Sequence, residues 1–576
     1  MKYYFGFQLS IFPQPLEIVL VDRASTNLGW IRLISIDIIY YTLFKDEFDN
    51  IGMVFQNEST FQKFVNEGNE KLFNKKYEQA ARFVRSEFGN RYSLIIAGKE
   101  VFTTKSIAHR SPIDRRTILG YVQMSTPLHV NQAIEAAANA FQTWGTTDFK
   151  YRIQFFRKIA DLVRKRKFEL AAWLTLENGK NRYEAIADVD EALDFINYYI
   201  DDMIANDGFV LTNKNSRSGE RNTSVMKPYG IWAIIAPFNF PAAILVGMTI
   251  GALITGNTVI IKPASDTPIV GYKIVQIMVN AGLPEGVVNY ITGPGGEIGK
   301  LLVRNKKIAG IVFTGSKEVG YELVRKTSEF KPRPVIAELG GKNAAIVTQT
   351  ADLDRAAEGV VRAAFSYSGQ KCSACSRIYV QRSIKSKFIS KLVRRTKELI
   401  VGNPLNPETF IGPLINSNSF KNFSRYSRLA TKDGKVLVGG SLKKDNNLKY
   451  GFYAEPTIVD SLPNDHVLFK KELFVPILCL SEYDKFDQAL AMCNESDYGL
   501  TAGVYTKRSE EVKEFLNGIE AGVVYVNRAS SATTGAMVGS QSFGGWKDSG
   551  TTGKGTGGKY YLTQFMREQS QTIAEK

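Results

Sequence analysis

The chain has 576 residues, 44% of them hydrophobic, enough to bury a large core and more than one domain. No segment approaches the roughly 18–20 uninterrupted apolar residues of a membrane-spanning helix, and four cysteines are too few for a disulfide scaffold. The formal net charge is +16, but the basic residues are spread along the chain rather than gathered into a stripe. We therefore expect a cytoplasmic protein without a nucleic-acid or membrane partner.

The first fifty residues differ in character from the rest. Residues 34–43 are largely apolar and aromatic, and no signal-peptide pattern precedes them. From Phe55 onward the chain becomes polar, with a helical pattern. We expect translation to begin at Met53, so that residues 1–52 are either an upstream misreading or a disordered extension. A native protein whose intact mass includes Met1 would contradict this expectation.

From about residue 120, short apolar runs alternate with amphipathic stretches. The runs are residues 232–236, 258–262, 288–291, 311–313, 344–347 and 523–526. The amphipathic stretches include 130–144 and 151–176, and residues 242–254 have the composition of a buried helix. Strands that alternate with helices predict an α/β fold with parallel sheets.

Cys372 is the strongest candidate nucleophile. It follows a Gly-Gln turn and is surrounded by small residues, which leaves room for a substrate to reach the sulfur. On this segment alone, a buried and inert cysteine is the favoured interpretation. The Cys372-Ser-Ala-Cys375 pair superficially resembles a redox or metal motif, but no second such pair completes a zinc site, so we expect no metal. The three histidines leave a cysteine protease few candidates for its base.

Three further segments carry groups that suit carbonyl chemistry. Asn239 follows an apolar run, and its amide could donate to an oxyanion. Glu338 precedes Gly-Gly and could act as a general base. Ser316 lies between an apolar run and a helical pattern, where backbone N–H groups could bind a pyrophosphate. The glycine-rich segment 293–299 lacks the third glycine of a dinucleotide-binding fingerprint, because Ile298 stands in its place.

Taken together and in order, these segments resemble the aldehyde dehydrogenase superfamily from about residue 95 to the C terminus. The matching blocks are Pro237-Phe-Asn-Phe-Pro241, Lys262-Pro-Ala, Gly282-Leu-Pro-Glu-Gly-Val, Phe313-Thr-Gly-Ser, Glu338-Leu-Gly-Gly-Lys, Gly369-Gln-Lys-Cys372, Gly412-Pro-Leu, Glu455-Pro-Thr, Glu472-Leu-Phe-Val-Pro476 and Tyr498-Gly-Leu-Thr.

Within that superfamily the chain is most similar to the Δ1-pyrroline-5-carboxylate dehydrogenases, which oxidise L-glutamate γ-semialdehyde to glutamate in proline catabolism. The narrower resemblance lies in Ser373 directly after the nucleophile, in the segment 534–546, and in the C-terminal blocks Asp548-Ser-Gly-Thr and Gly557-Gly-Lys-Tyr-Tyr-Leu. The polar segment after Met53 extends the similarity toward the N terminus.

The resemblance implies three parts. A Rossmann-like NAD-binding domain would comprise residues 53–206 and 229–337, with 53–95 as its N-terminal helical part. An α/β catalytic domain would comprise residues 338–530. A β-arm built from 207–228 and 555–576 would pair subunits into a dimer or a multiple of dimers.

The resemblance also implies roles for individual residues. Cys372 would attack the aldehyde, Asn239 would hold the oxyanion, and Glu338 would activate water to hydrolyse the thioester. The residues expected to bind NAD are Ile235, Ala236, Pro237, Phe238, Lys262, Ser265, Phe313, Gly315, Ser316, Val319, Glu472 and Phe474. Many NAD-preferring relatives have a glutamate where this chain has Ser265, so we expect NADP to be tolerated.

At the substrate end, Ser373, Gly535 and Ala536 would bind the α-carboxylate, Phe240 and Phe543 would enclose the aliphatic chain, and Glu191 would face the α-ammonium group. Ordinary core packing of the two phenylalanines and a solvated position for Glu191 are the alternatives. Val475 and Ser542 depart from the family pattern, and Cys375 could form a disulfide with Cys372. A simpler substrate such as succinate semialdehyde and a non-catalytic binding role are the competing functions.

Overall fold

The computed structural model of the chain describes residues 55–214, 217–329, 332–529 and 537–574. The extension 1–52, the start at Met53, and the residues Gly535 and Ala536 all lie outside these ranges. Within the described residues, no helix has both the length and the apolar character needed to cross a membrane.

The strands of the described chain, in order, are β1 (Asn90–Tyr92), β2 (Leu94–Ile96), β3 (Lys99–Val101), β4 (Ser106–Arg110), β5 (Ile118–Gln123), β6 (Val210–Thr212), β7 (Glu220–Pro228), β8 (Ile231–Ile235), β9 (Thr258–Lys262), β10 (Val288–Tyr290), β11 (Ile308–Thr314), β12 (Val335–Glu338), β13 (Asn343–Val347), β14 (Cys375–Gln381), β15 (Lys435–Val438), β16 (Thr457–Asp460), β17 (Ile477–Tyr483), β18 (Tyr498–Gly499), β19 (Thr501–Tyr505), β20 (Val523–Val526), β21 (Trp546–Lys547) and β22 (Met566–Ala574).

The α-helices, in the same order, are α1 (Thr60–Asn66), α2 (Glu70–Ser86), α3 (Pro127–Trp144), α4 (Phe149–Lys165), α5 (Lys167–Asn178), α6 (Arg182–Ala205), α7 (Ala243–Ile254), α8 (Pro268–Asn280), α9 (Lys300–Arg304), α10 (Lys317–Ser328), α11 (Leu353–Phe365), α12 (Lys385–Lys397), α13 (Ser417–Asp433), α14 (Val467–Lys470), α15 (Phe486–Asn494) and α16 (Ser509–Gly518).

Two seven-stranded sheets form the centre of the structure. The first has the order β12-β11-β8-β9-β10-β2-β3, and the strands from β12 to β10 are parallel. The second has the order β15-β16-β17-β14-β13-β19-β20 and is parallel except for the β15–β16 pair. The predicted α/β fold with parallel sheets is confirmed.

A smaller antiparallel sheet has the order β22-β7-β6. Strand β22 pairs with β7 along its whole length, from Met566 opposite Pro228 to Ala574 opposite Glu220. These strands fall within the two segments that were expected to form the β-arm. The boundaries assigned to the three domains remain a prediction.

The two large sheets meet at the connection between β12 and β13. Strand β12 ends at Glu338 and β13 begins at Asn343, so the carboxyl edge of the first sheet leads directly to the amino edge of the second. Strands β8, β9 and β11, parallel to β12, end at the same edge. Ligands of open parallel sheets bind outside the carboxyl ends of the strands. We therefore expect a functional site at this junction.

The stretch 151–176, predicted as one amphipathic pattern, is two helices. Helices α4 and α5 meet at Arg166, whose φ of −99° and ψ of 13° interrupt the first helix. The guanidinium of Arg166 pairs with the Glu169 carboxylate at 2.6 Å, at the start of the second helix. The hydrophobic period continues across the break, which is why the pattern alone does not reveal it.

The Asn257 side chain connects the residue before β22 to the first sheet by hydrogen bonds. Its Oδ1 accepts the Gly230 N–H at 2.9 Å, and its Nδ2 donates to the carbonyl oxygens of Phe565 at 2.9 Å and Ala252 at 3.2 Å. The side chain is fully buried. Removing it would leave buried backbone groups without partners.

We therefore expect Asn257→Ala to destabilise the protein by about 2 kcal/mol or more, because an unsatisfied buried polar group costs roughly 1–3 kcal/mol. The midpoint of thermal unfolding measures the loss. The matched control is Asn213→Ala at an exposed position, which should leave the midpoint unchanged. Equal changes of the unfolding midpoint in the two variants would contradict the stabilising role assigned to Asn257.

Candidate active site

Cys372 lies in a short connection three residues before β14, and hydrogen bonds to distant parts of the chain fix that connection. Asn343 Nδ2 donates to the carbonyl oxygens of Cys372 at 2.7 Å and Ala374 at 3.0 Å. On the other side, Gln370 Oε1 accepts the Ile415 N–H at 2.8 Å. The sulfur is thereby held by groups that are distant in sequence.

The predicted nucleophile, general base and three substrate residues border one cavity. Cys372, Glu338, Glu191, Phe240 and Phe543 all line it. Apart from Glu191 and Glu338, its wall is mostly apolar and includes residues of α6, α7 and the C-terminal segment. The structure thus brings together side chains that lie as far apart in sequence as positions 191 and 543.

Glu338 is a half-buried carboxyl group at the end of β12. Its Oε2 accepts the Gly545 N–H at 3.1 Å, and burial raises the pKa of the carboxyl to about 8 despite that bond. Its backbone carbonyl accepts the Gly315 N–H at 3.1 Å, which places the Thr-Gly-Ser turn beside it. A carboxyl group of this pKa can take up and release a proton near neutral pH, as a general base must.

The Cys372 thiol is also desolvated. Burial raises its pKa to about 12, and the negative charges of Glu472 and Glu338 act in the same direction. The backbone N–H groups of Ser373 and Cys372 lower the pKa by a smaller amount. In the protein alone the sulfur is therefore a thiol, and an attacking thiolate requires a base or a neighbouring positive charge.

Two polar side chains, one next to the nucleophile and one after β8, have no hydrogen-bond partner among the described residues. The Ser373 hydroxyl is buried and makes no hydrogen bond with any described residue. Asn239 is buried four residues after β8 ends, and no hydrogen bond of its side-chain amide is found in the described chain. Buried polar groups are normally hydrogen-bonded, so both groups are available to a bound molecule.

A second cleft lies at the carboxyl edge of the first sheet. Ile235, Lys262, Phe313 and Val319, all predicted ligand contacts, line it. Ser316 caps α10, and its hydroxyl accepts the Val319 N–H at 3.4 Å. The free N–H groups at the start of a helix favour a bound anion such as a phosphate.

The glycine-rich segment 293–299 borders the same cleft, although its spacing does not match a dinucleotide-binding fingerprint. Gly295, Gly296 and Gly299 line the cleft across from α10. A Cβ atom at any of the three positions would meet no atom of the chain within 4 Å, so the open space beside them is available to a ligand. The density of glycine, rather than its exact spacing, was the signal for this role.

The segment 472–474 contacts the connection between β12 and β13 and the segment that follows β8. Glu472 accepts the Gly341 N–H at 2.9 Å, and burial raises the pKa of its carboxyl to about 7. Phe474 has a φ of +56°, a strained conformation for an aromatic residue, and its ring packs edge-on against Phe238 at 5.7 Å between centroids. Backbone strain of this kind is often found at functional sites.

A comparison with known families decides the identity of the fold. The model that describes the aldehyde dehydrogenase family matches residues 101–571. The chain belongs to the aldehyde dehydrogenase family. The resemblance inferred from the sequence blocks is confirmed.

Comparisons with individual proteins agree with the family assignment. The chain is 38% identical to 1-pyrroline-5-carboxylate dehydrogenase 1 of Halalkalibacterium halodurans over 89% of this chain and 98% of the relative. It is similar to the solved 1-pyrroline-5-carboxylate dehydrogenase from Thermus with bound NAD, with a TM-score of 0.85 and 36% identity over 90% of this chain and 99% of that one. A betaine aldehyde dehydrogenase from Staphylococcus aureus has a TM-score of 0.81 but only 26% identity, over 87% of this chain and 98% of that one.

The remaining predicted residues of this aldehyde dehydrogenase are placed as follows. Ala236 and Pro237 continue from β8, and the Ala236 N–H donates to the Lys262 carbonyl at 3.1 Å. Ser265 is exposed in the turn after β9. Cys375 and Cys372 are both free thiols, and Cys375 is buried in the core with its Sγ 3.4 Å from the Arg377 carbonyl oxygen, so the suggested disulfide is not formed.

The raised pKa of the Cys372 thiol predicts that its reactivity depends on pH. With its pKa raised to about 12, the thiolate fraction near pH 7 is on the order of one in 10⁵, and it increases about tenfold per pH unit. We expect alkylation of Cys372 by iodoacetamide, without added nucleotide, to accelerate accordingly between pH 7 and 9. Peptide mass spectrometry measures it, with fully buried Cys479 as the unlabelled control. A rate that does not change with pH would contradict the prediction.

Proposed function

We propose that this aldehyde dehydrogenase oxidises L-glutamate γ-semialdehyde, the open form of 1-pyrroline-5-carboxylate, to L-glutamate with NAD. The observation that carries the proposal is the single cavity bordered by Cys372, Glu338, Glu191, Phe240 and Phe543. The cavity supplies a nucleophile, a base, an apolar wall and a carboxyl group for a cationic end. The relatives named 1-pyrroline-5-carboxylate dehydrogenase support the substrate.

The cleft at the edge of the first sheet fits a dinucleotide. Lys262 is a buried cation, and burial lowers the pKa of its ammonium to about 8. Its Nζ donates to the Pro263 carbonyl oxygen and forms no ion pair with a described carboxylate, so it can bind a ribose hydroxyl. The start of α10 and the glycines at 295, 296 and 299 suit a pyrophosphate. Glu472 would bind ribose together with Lys262, and Phe474 would pack near the nicotinamide.

In the first chemical step, the Cys372 sulfur attacks the aldehyde carbon after losing its proton. The developing oxyanion accepts hydrogen bonds from the Asn239 amide and the Cys372 backbone N–H. When bound, NAD supplies the acceptor for the hydride that leaves the same carbon. A thioester between Cys372 and the substrate remains.

In the second step, Glu338 removes a proton from a water molecule that attacks the thioester. Its carboxyl is protonated below a pH of about 8 and becomes the base form as the pH rises through that value. The water oxygen adds to the carbonyl carbon, the bond to sulfur breaks, and the carboxylic acid leaves. The apolar surroundings that raise the pKa of Glu338 also exclude bulk water.

The amino-acid end of the substrate would be bound at the other side of the cavity. We assign the α-ammonium group to Glu191, whose carboxyl has its pKa raised to about 8 by burial and by the neighbouring Asp188 charge. The α-carboxylate would accept hydrogen bonds from the Ser373 hydroxyl and from backbone N–H groups of Gly535 and Ala536. Phe240 and Phe543 would enclose the methylene groups between the two ends.

Coenzyme choice and assembly extend the proposal. A neutral Ser265 does not repel a 2′-phosphate, so NADP should support turnover at saturating substrate, and a negligible rate would refute this assignment. Strands β6, β7 and β22 carry exposed Leu211 and Ile573 and would form the arm of a homo-oligomer. A cytoplasmic location remains a prediction from the cysteine content.

We expect the purified enzyme to produce NADH from 1-pyrroline-5-carboxylate with a kcat/KM at least about tenfold higher than from succinate semialdehyde or hexanal, because only the first carries both charged groups of an amino acid. Cys372→Ala should abolish turnover, whereas Cys375→Ala, at the core cysteine, should retain it. Preference for a simpler aldehyde would overturn the substrate and keep the mechanism. No turnover with any aldehyde would favour a non-catalytic protein.

A further inference from the structure

Behind the cavity lies a fully buried ion pair that sequence analysis did not single out. Lys180 Nζ and Asp188 Oδ2 are 2.8 Å apart, and both side chains have no exposed surface. Lys180 follows Gly179, whose φ of +84° ends α5, and Asp188 lies on α6. A pair of this kind is poor evidence for stabilisation, because apolar residues of similar volume often replace it at no cost in stability. A role in positioning other groups is therefore worth testing.

The ammonium of Lys180 lies against Phe240. Its Nζ is 3.6 Å from the centroid of the Phe240 ring, well within the distance of a cation–π interaction, and Lys371 Nζ lies further away at 5.8 Å. Phe240 borders the catalytic cavity and also an outer polar cavity that Lys180 borders. The Phe240 ring therefore lies between the two cavities, and the buried Lys180 ammonium contacts that ring.

The neighbours of Lys180 hold both ends of the segment that carries Asn239 and Phe240. Asn178 Nδ2 donates to the Phe238 carbonyl oxygen at 2.5 Å. At the other end, the Ala243 N–H donates to Asp188 Oδ1 at 2.7 Å, at the start of α7. A change in the ion pair would therefore reach the aromatic wall through the ring contact and through the backbone.

The same pair affects Glu191, one turn after Asp188 on α6. Burial raises the pKa of the Glu191 carboxyl, the Asp188 and Asp194 charges add to the rise, and Lys180 and Lys371 oppose it. Lys371 is itself paired with Glu184 at 2.8 Å. Glu191 borders both cavities, as Phe240 does.

We propose that Lys180, together with Asp188, is a positioning residue that sets selectivity for the amino-acid end of the substrate by holding Phe240 and Glu191 in place. This inference rests on the proposed function. It assigns to a lysine outside the catalytic cavity a role in substrate choice rather than in the chemical steps.

The test compares Lys180→Met with wild type on two substrates. Loss of the cation against Phe240 should raise the KM for 1-pyrroline-5-carboxylate at least about fivefold, whereas the KM for hexanal, which has no charged end, should change less than about twofold. The matched control is Lys273→Met, because Lys273 is also buried, is paired with Glu87 at 2.8 Å and lies near Trp173 at 5.6 Å. It should leave both KM values unchanged.

Two further variants distinguish loss of the Lys180 cation from misfolding and from a purely structural effect. Lys180→Met combined with Asp188→Asn leaves no unpaired buried charge, so it tests the cation even if the single variant does not fold. Asp188→Asn alone removes the neighbouring charge that raises the pKa of Glu191, so the pH above which the KM for 1-pyrroline-5-carboxylate reaches its low plateau should move downward. A merely structural role would not move that pH.

The outcomes separate the inference from the proposed function. A selective rise in KM together with the pH shift supports the inference. Equal losses on both substrates, an unchanged KM for 1-pyrroline-5-carboxylate, or the same response from Lys273→Met would overturn it while the function stands. A wild-type protein that oxidises hexanal but not 1-pyrroline-5-carboxylate would remove the proposed substrate and this inference with it.

Discussion

The connection from Glu338 to Asn343 is the constraint on which the site depends. It joins the carboxyl edge of one parallel sheet to the amino edge of another, and groups from both sheets therefore meet there. Glu338 ends the first sheet with its carboxyl in the cavity. Asn343 begins the second and holds the backbone of Cys372 by two hydrogen bonds. The base and the nucleophile are positioned by the two ends of one short segment.

Desolvation governs the electrostatics of that junction. Burial raises the pKa of Glu338, Glu472 and Cys372, although each residue keeps some exposed surface. Because burial opposes the charged form of a carboxyl or a thiol, the site in the protein alone favours neutral groups. A cationic nicotinamide ring entering beside Glu472 and Cys372 would reverse part of this effect, since a nearby positive charge favours both anions. Nucleophile activation would then be coupled to coenzyme binding.

The sequence predicted the parts of the site that belong to local patterns. Asn239 and Ser316 each follow an apolar run, and the structure places both shortly after a strand, whereas Glu338 is the last residue of β12. Thr258–Lys262 and Val523–Val526 were predicted with the bounds that the strands have. Such features depend on neighbouring residues, so they can be read from a short segment.

The features that the sequence did not predict depend on distant contacts. Lys180 lies just after the end of α5, where no sequence motif marks it. Only the packing of α5, α6 and the segment after β8 brings it to Phe240. The role of Asn343 likewise requires β13 and β14 to be paired in the second sheet. The sequence did not predict the helix break at Arg166, because the hydrophobic period continues through it. It did not predict that glycines 295, 296 and 299 line the cleft, because their spacing departs from the dinucleotide-binding fingerprint.

The central claim is that the reaction proceeds through a thioester on Cys372 that Glu338 hydrolyses. The most direct measurement mixes the Glu338→Gln variant with NAD and 1-pyrroline-5-carboxylate, follows NADH in the first turnover, and identifies the modified peptide by mass spectrometry after acid quenching. The account predicts a burst of about one NADH per active site and a glutamyl adduct on Cys372, because removal of the base blocks hydrolysis after hydride transfer. Steady turnover without a burst, or an adduct on another residue, would contradict it.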